Sequence, residues 1–160
     1  MATRKVRIIA AFDNTGKTRC IREIARRLEA KNYKYNNLLY TKTAASILNK
    51  NSEAPLTNDD IIGYFVGSFE TIGILSAGDG DGEQEITKCL DLLDEFQPDI
   101  IICAARNYPE NTDIQKKIGE RYQDIDTKTI SLNGLNGSEA DKEEEFERVF
   151  SEIMMAIRGF

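Results

Sequence analysis

Residues 11–18 read Ala-Phe-Asp-Asn-Thr-Gly-Lys-Thr, which fits the spacing Ala/Gly-x4-Gly-Lys-Ser/Thr. The run before it, Lys5-Val-Arg-Ile-Ile-Ala10, is apolar and β-like. The run after it, Thr18 to Lys31, has helical periodicity. Ile21, Ile24, Ala25 and Leu28 fall on one stripe, with Arg22, Glu23, Arg26 and Arg27 elsewhere. A strand, a tight glycine turn and a helix start together constrain the chain to wind a helix directly off the end of a strand. Such a junction turns backbone N–H groups inward, and the helix N-terminus adds positive potential. It is suited to holding phosphate oxygens.

The rest of the chain repeats the alternation of strands and helices. Residues 37–41 read as a strand, and 42–58 as a polar loop with a short helix at 43–49. Residues 61–67 and 71–77 are apolar, with only Ser68-Phe-Glu70 between them. That gap is too short for a helical crossover, so the two segments are predicted to form an antiparallel hairpin. Gly78-Asp-Gly-Asp-Gly82 is an acidic turn. Glu83 to Phe96 carries Ile86, Leu90, Leu93 and Phe96 at helical spacing, and Pro98 stops it.

Asp99-Ile-Ile-Ile-Cys-Ala104 is an uninterrupted apolar run, the pattern of a strand covered on both faces. Thr112 to Tyr122 reads as a helix, Lys128 to Leu132 as a strand, and Asn133 to Gly137 as a loop. Ser138 to Arg158 reads as a final helix, capped by Ser138. Its acidic run Asp141 to Glu145 suits the helix dipole. The predicted fold is α/β. It is one domain over residues 1–160, with a mostly parallel sheet, helices on both faces and one antiparallel hairpin strand.

Composition excludes several classes of function. The formal net charge is −6, which argues against broad electrostatic binding to nucleic acid. No apolar run approaches the length needed to span a bilayer, so no membrane partner is expected. The chain runs from its first residues into a strand, without a signal-peptide pattern. Cys20, Cys89 and Cys103 are isolated, with no Cys-x-x-Cys pair. They read as buried reduced thiols of a cytoplasmic protein. The chain has no histidine, which removes the usual neutral-pH proton shuttle and any imidazole metal site.

The junction assigns roles to particular residues. Gly16 lets the backbone approach phosphates closely, Lys17 supplies a compact cation, and Thr18 offers a hydroxyl to Mg²⁺. Ala11 opens the motif. Asp13, Asn14, Thr15, Gly16, Lys17, Thr18 and Arg19 form the run expected to contact phosphate. A magnesium–nucleotide site also needs a carboxylate at the end of a neighbouring strand. Asp79 follows the apolar run Ile72 to Gly78 and is the preferred candidate. Asp81 is its competitor, and both are also ordinary turn formers.

Asp13 lies within the loop, where it either orients water or caps the turn. Glu83 is a further acid near the loop. Arg106 ends the strand after Asp99, where a guanidinium can stabilise a transferring phosphoryl group or simply be solvated. Asn107 and the loop Asn133–Asn136 are candidates to touch a base.

With Ala11-x4-Gly-Lys-Thr18 and a strand leading to Asp79, the chain resembles the P-loop nucleoside triphosphatase superfamily. The resemblance implies ATP or GTP binding with Mg²⁺. Gly16 and Lys17 would then lie on phosphate, Thr18 on the metal, and Asp79 would play the Walker B role. It also implies hydrolysis or transfer of the γ-phosphate, with a second substrate or protein partner unspecified. Asp79-Gly-Asp-Gly82 matches the Asp-x-x-Gly of small GTPases, which keeps open a non-catalytic, GTPase-like switch module that needs a partner. The Asn-Lys-x-Asp pattern that reads guanine is not found, because Cys103-Ala-Ala-Arg-Asn-Tyr108 stands in its place. ATP is therefore preferred over GTP. A small-molecule kinase would carry an arginine-rich lid, for which Arg106 and Arg121 are the only candidates.

Overall fold

The longest buried strand runs through the middle of the sheet. Ile100, Ile101, Ile102, Cys103, Ala104 and Ala105 are all fully buried, as an apolar run covered on both faces requires. The structure is a computed structural model that describes residues 3–11, 17–37, 39–41, 46–48, 62–76, 83–106, 112–132 and 139–158. Its elements are β1 (Lys5–Ala11), α1 (Lys17–Ala30), β2 (Lys34–Asn37), β3 (Leu39–Thr41), β4 (Ser46–Leu48), β5 (Ile62–Val66), β6 (Thr71–Leu75), α2 (Glu83–Glu95), β7 (Ile100–Arg106), α3 (Thr112–Arg121), β8 (Asp126–Ser131) and α4 (Glu139–Met155).

Six strands form one sheet in the order β2-β5-β6-β7-β1-β8. β6, β7, β1 and β8 pair in parallel. β5 runs antiparallel to both β2 and β6. The expected hairpin is present, with Val66 opposite Thr71 and Ile62 opposite Leu75.

Alternate residues of the central strands feed two cores. Ile9, Ile100, Ile102 and Ala104 pack against α1 and α4 through Ile24, Leu28, Val149 and Phe150. Val6, Ile8, Ile101 and Cys103 pack against α2 and α3 through Leu90, Leu93 and Ile118. Helices therefore cover both faces. Gly73 permits the approach of α2, because a Cβ there would lie 3.3 Å from Leu93 Cδ2 and 3.4 Å from Pro98 Cγ.

α1 ends in a Schellman turn. Asn32 takes a left-handed conformation at φ 67°. The Tyr33 N–H donates to the Leu28 carbonyl and the Asn32 N–H to that of Glu29, each at 3.0 Å. Leu28 and Tyr33 lie in the same core.

The structure differs from the sequence reading between residues 34 and 48. The helix expected at 43–49 is not formed there: Ser46–Leu48 is a strand paired antiparallel with Leu39–Thr41. A single short turn has too few hydrogen bonds to offset its nucleation cost, so pairing with β3 wins. The strand expected at 37–41 is divided. Lys34–Asn37 joins the main sheet and Leu39–Thr41 the small one. The remainder of the loop, residues 42–45 and 49–58, lies outside the described residues.

Candidate functional site

β1 ends at Ala11, and α1 begins at Lys17, five residues after Phe12. The strand and the helix of the motif are thus both formed, with Lys17, Thr18 and Arg19 as the first three residues of α1. Asp13, Asn14, Thr15 and Gly16 lie outside the described residues.

The charge pattern of this helix start is unusual. The first turn of α1 contains no acid, and its sequence Lys17-Thr18-Arg19-Cys20 carries two cations. Cations at the positive end of a helix dipole are unfavourable, typically by about 0.3–1 kcal/mol each at exposed positions. α4 shows the ordinary arrangement, with Glu139 and Asp141 in its first turn. An anion seated at the start of α1 reverses the sign of that penalty and uses backbone donors that lack intrahelical partners.

The parallel register puts β7 beside this helix start. Ile8 pairs with Cys103, Ala10 with Ala105, and Ala11 with Arg106. Arg106 is therefore the direct neighbour of the residue that opens the motif. The helices leaving these two strands go to opposite faces: α1 belongs to one core and α3 to the other. Open α/β sheets generally bind ligands in a crevice outside the carboxyl ends of adjacent strands whose helices leave to opposite faces.

The strand that precedes Asp79 in the sequence, β6, is not the immediate neighbour of β1 that the sequence reading expected; β7 lies between them. With strands about 4.8 Å apart, a group at the end of β6 lies roughly 10 Å across the rim from β1. β6 ends at Leu75, and the following Ser76 is buried. Asp79, Asp81, Asn107 and Asn133–Asn136 fall outside the described residues. Glu83 is the first residue of α2.

Arg121 is not placed to act as a lid. It ends α3, at the opposite end of the sheet from the crevice. Its Nη2 donates to Asp91 Oδ1 and to Asp94 Oδ2, both at 2.6 Å. The Tyr122 hydroxyl donates to the same Asp94, at 3.1 Å. These bonds tie α3 to α2.

The cysteines are buried, as expected from the sequence. Burial pushes the Cys20 and Cys103 thiols up to about 12, so both stay protonated and unreactive near neutral pH. Among the described residues no helix is long and apolar enough to cross a membrane. No group of three or more His, Cys, Asp or Glu suited to a metal occurs among them.

No protein-family model, no curated protein and no solved structure matches this chain.

Proposed function

We propose that this protein binds a Mg²⁺-nucleoside triphosphate, with ATP preferred over GTP, in the crevice between β1 and β7, and that it hydrolyses or transfers the γ-phosphate. The observation that carries this reading is the start of α1. A helix that begins soon after β1, with Lys17 and Arg19 in its first turn and no acid there, supports an anion at its start.

In this reading the loop's N–H groups and the Lys17 ammonium hold the β- and γ-phosphate oxygens. The Thr18 hydroxyl and a carboxylate beyond β6, Asp79 before Asp81, supply the hard oxygen donors that Mg²⁺ prefers. A Mg²⁺ held by these donors would supply positive charge against the phosphate oxygens. Arg106, at the end of the neighbouring strand, would offer a guanidinium to the same oxygens. Asp13 and Glu83 are the nearby acids able to orient an attacking water or an acceptor hydroxyl.

A second reading is a nucleotide-binding switch module completed by a partner. The complete absence of histidine and the small number of acids near the loop favour it. The same experiment separates the two: calorimetric titration with ATP and GTP, with and without Mg²⁺, followed by phosphate release from the same sample. Binding with turnover supports the enzyme, binding without turnover the switch, and no binding removes both. A tenfold or greater preference for GTP, about 1.4 kcal/mol, overturns the base assignment.

A further inference from the structure

A second cavity opens at the far end of the sheet, where the parallel strands begin. It has a volume of about 470 Å³ and lies between β1, the edge strand β8 and the last turns of α4. Lys5, Arg7, Lys128 and Glu152 supply its charged walls, and Met155 stands at its lip, 83% exposed. Lys5 is six strand positions from Ala11, roughly 20 Å along β1. The cavity is therefore separate from the nucleotide crevice.

Lysines on an edge strand serve to blunt unwanted pairing, and Lys128 by itself carries nothing more. Arg7 differs. It lies on an interior strand, and its side chain is only 7% exposed. Its Nη1 donates to the carbonyls of Val6 and Asp126, at 3.1 and 2.9 Å, and its Nη2 to Asp126 Oδ2 at 3.1 Å. A guanidinium has five N–H donors, and among the described residues these bonds use three, on a residue that lines the cavity.

The direct register partner of Arg7 is Lys128. Like charges side by side on one sheet face repel; among the described residues the Lys128 side chain makes no hydrogen bond or ion pair, and its charge acts only through space on Asp126. Lys5 spends one proton on the Ala156 carbonyl, at 3.0 Å, and keeps two. The nearby acids are already engaged. Asp126 is bonded to Arg7, which together with Lys128 and Lys5 holds its carboxyl below the usual range. Glu152 pairs with Arg148 at 3.5 Å. A chain of net charge −6 thus gathers three cations around one cavity.

We propose that this cavity is an anion site, taking a compact group with two negative charges, of which phosphate is the simplest. The Lys128 and Lys5 ammonium groups and the remaining Arg7 donors would hold it. The site owes nothing to the nucleotide reading and stands if that reading fails.

The test is an amide NMR titration of the intact chain with inorganic phosphate, at ionic strength held constant with sodium chloride. Saturable shifts are expected at Lys128, Thr129, Ile130, Met155 and Ala156. Lys128→Gln, with unchanged circular dichroism, should weaken them by about tenfold, the size of one charge-assisted bond. Lys5→Gln should weaken them in the same direction. Lys17→Ala should leave them intact while removing any phosphate shifts at the start of α1. Shifts that do not saturate, that acetate reproduces at equal concentration, or that survive Lys128→Gln unchanged would each overturn the proposal.

Discussion

Ala11 and Arg106 are register partners, so the last residue of β1 lies one strand spacing from the last residue of β7. The sequence places Arg106 on the same rim as the phosphate-loop motif. The register makes it the motif's immediate lateral neighbour. An arginine supplied within the chain is one way to stabilise a phosphoryl group in transfer, and its loss can cost about 10³-fold or more in rate. Arg106→Gln should therefore lower phosphate release by at least about tenfold. It should leave the thermal melt unchanged, because the residue ends its strand. Release at the native rate would remove Arg106 from the reaction.

Lys17→Ala should abolish triphosphate binding without unfolding the protein. Lys17 is the first residue of α1, ahead of the stripe Ile21, Ile24, Ala25 and Leu28 that packs in the core. Alanine is at least as good a helix former, and it removes a cation from the positive end of the dipole. The free variant should consequently melt at the same temperature or slightly higher. Calorimetry with ATP and a thermal melt check both parts, and unchanged ATP affinity would defeat the phosphate-loop assignment.

The legible parts of this fold are those where burial is written in the local pattern. The run Ile100 to Ala105 is apolar without a break because both of its faces are covered. The β5–β6 hairpin is legible because Ser68–Glu70 cannot span a crossover. Lys34-Tyr-Asn-Asn37 escaped because an edge strand needs little apolar sequence; Tyr35 is buried and Lys34 exposed.

Strand order was not legible either. Parallel neighbours are chosen by packing between distant segments, so the sequence put Asp79 and Arg106 on one rim without saying that β7, not β6, adjoins β1. The basic cavity was half visible in the alternation of Lys5 and Arg7. Its third cation, Lys128, is brought in only by the register.

Asp79→Asn should spare much of the nucleotide affinity while removing its Mg²⁺ dependence and any turnover. Magnesium takes one or two carboxylates plus phosphate oxygens and retains several waters. A retained water would let an acid that follows β6 in the sequence serve such an ion without direct contact. ATP titrations with and without Mg²⁺ on Asp79→Asn and Asp81→Asn make the comparison. Loss of the magnesium effect in Asp81→Asn, with Asp79→Asn silent, would exchange the roles of the two acids.

Asn32→Val should destabilise the protein by roughly 1–2 kcal/mol, the cost of holding a side chain with a Cβ branch in the left-handed region. Asn32→Gly should cost nothing or stabilise slightly, since glycine adopts that conformation without strain. Asn32 is exposed, so neither substitution disturbs the core, and the difference reports on the φ of 67° together with the greater freedom of glycine in the unfolded chain. Chemical denaturation of the two variants measures it. Equal midpoints would mean that the Schellman turn at Leu28–Tyr33 does not hold the end of α1.

Stability should fall steeply above pH 9. Burial raises the Cys20 and Cys103 thiols from 9.0 to about 12 in the folded protein. The folded state therefore keeps protons that the unfolded chain releases. Their contribution is complete below pH 9 and is lost as the pH rises through about 12, at about 1.4 kcal/mol per pH unit for each thiol inside that window. Tyr35 and Tyr122 are shifted upward from 10.0, chiefly by burial, and steepen the decline above pH 10. Denaturant midpoints taken from pH 7 to 11 should show a plateau followed by this fall. Cys103→Ala should start from a lower midpoint, because it leaves a small cavity, yet lose stability less steeply between pH 9 and 10. A variant midpoint that falls as fast as the native one would show that the Cys103 thiol does not set the alkaline limit.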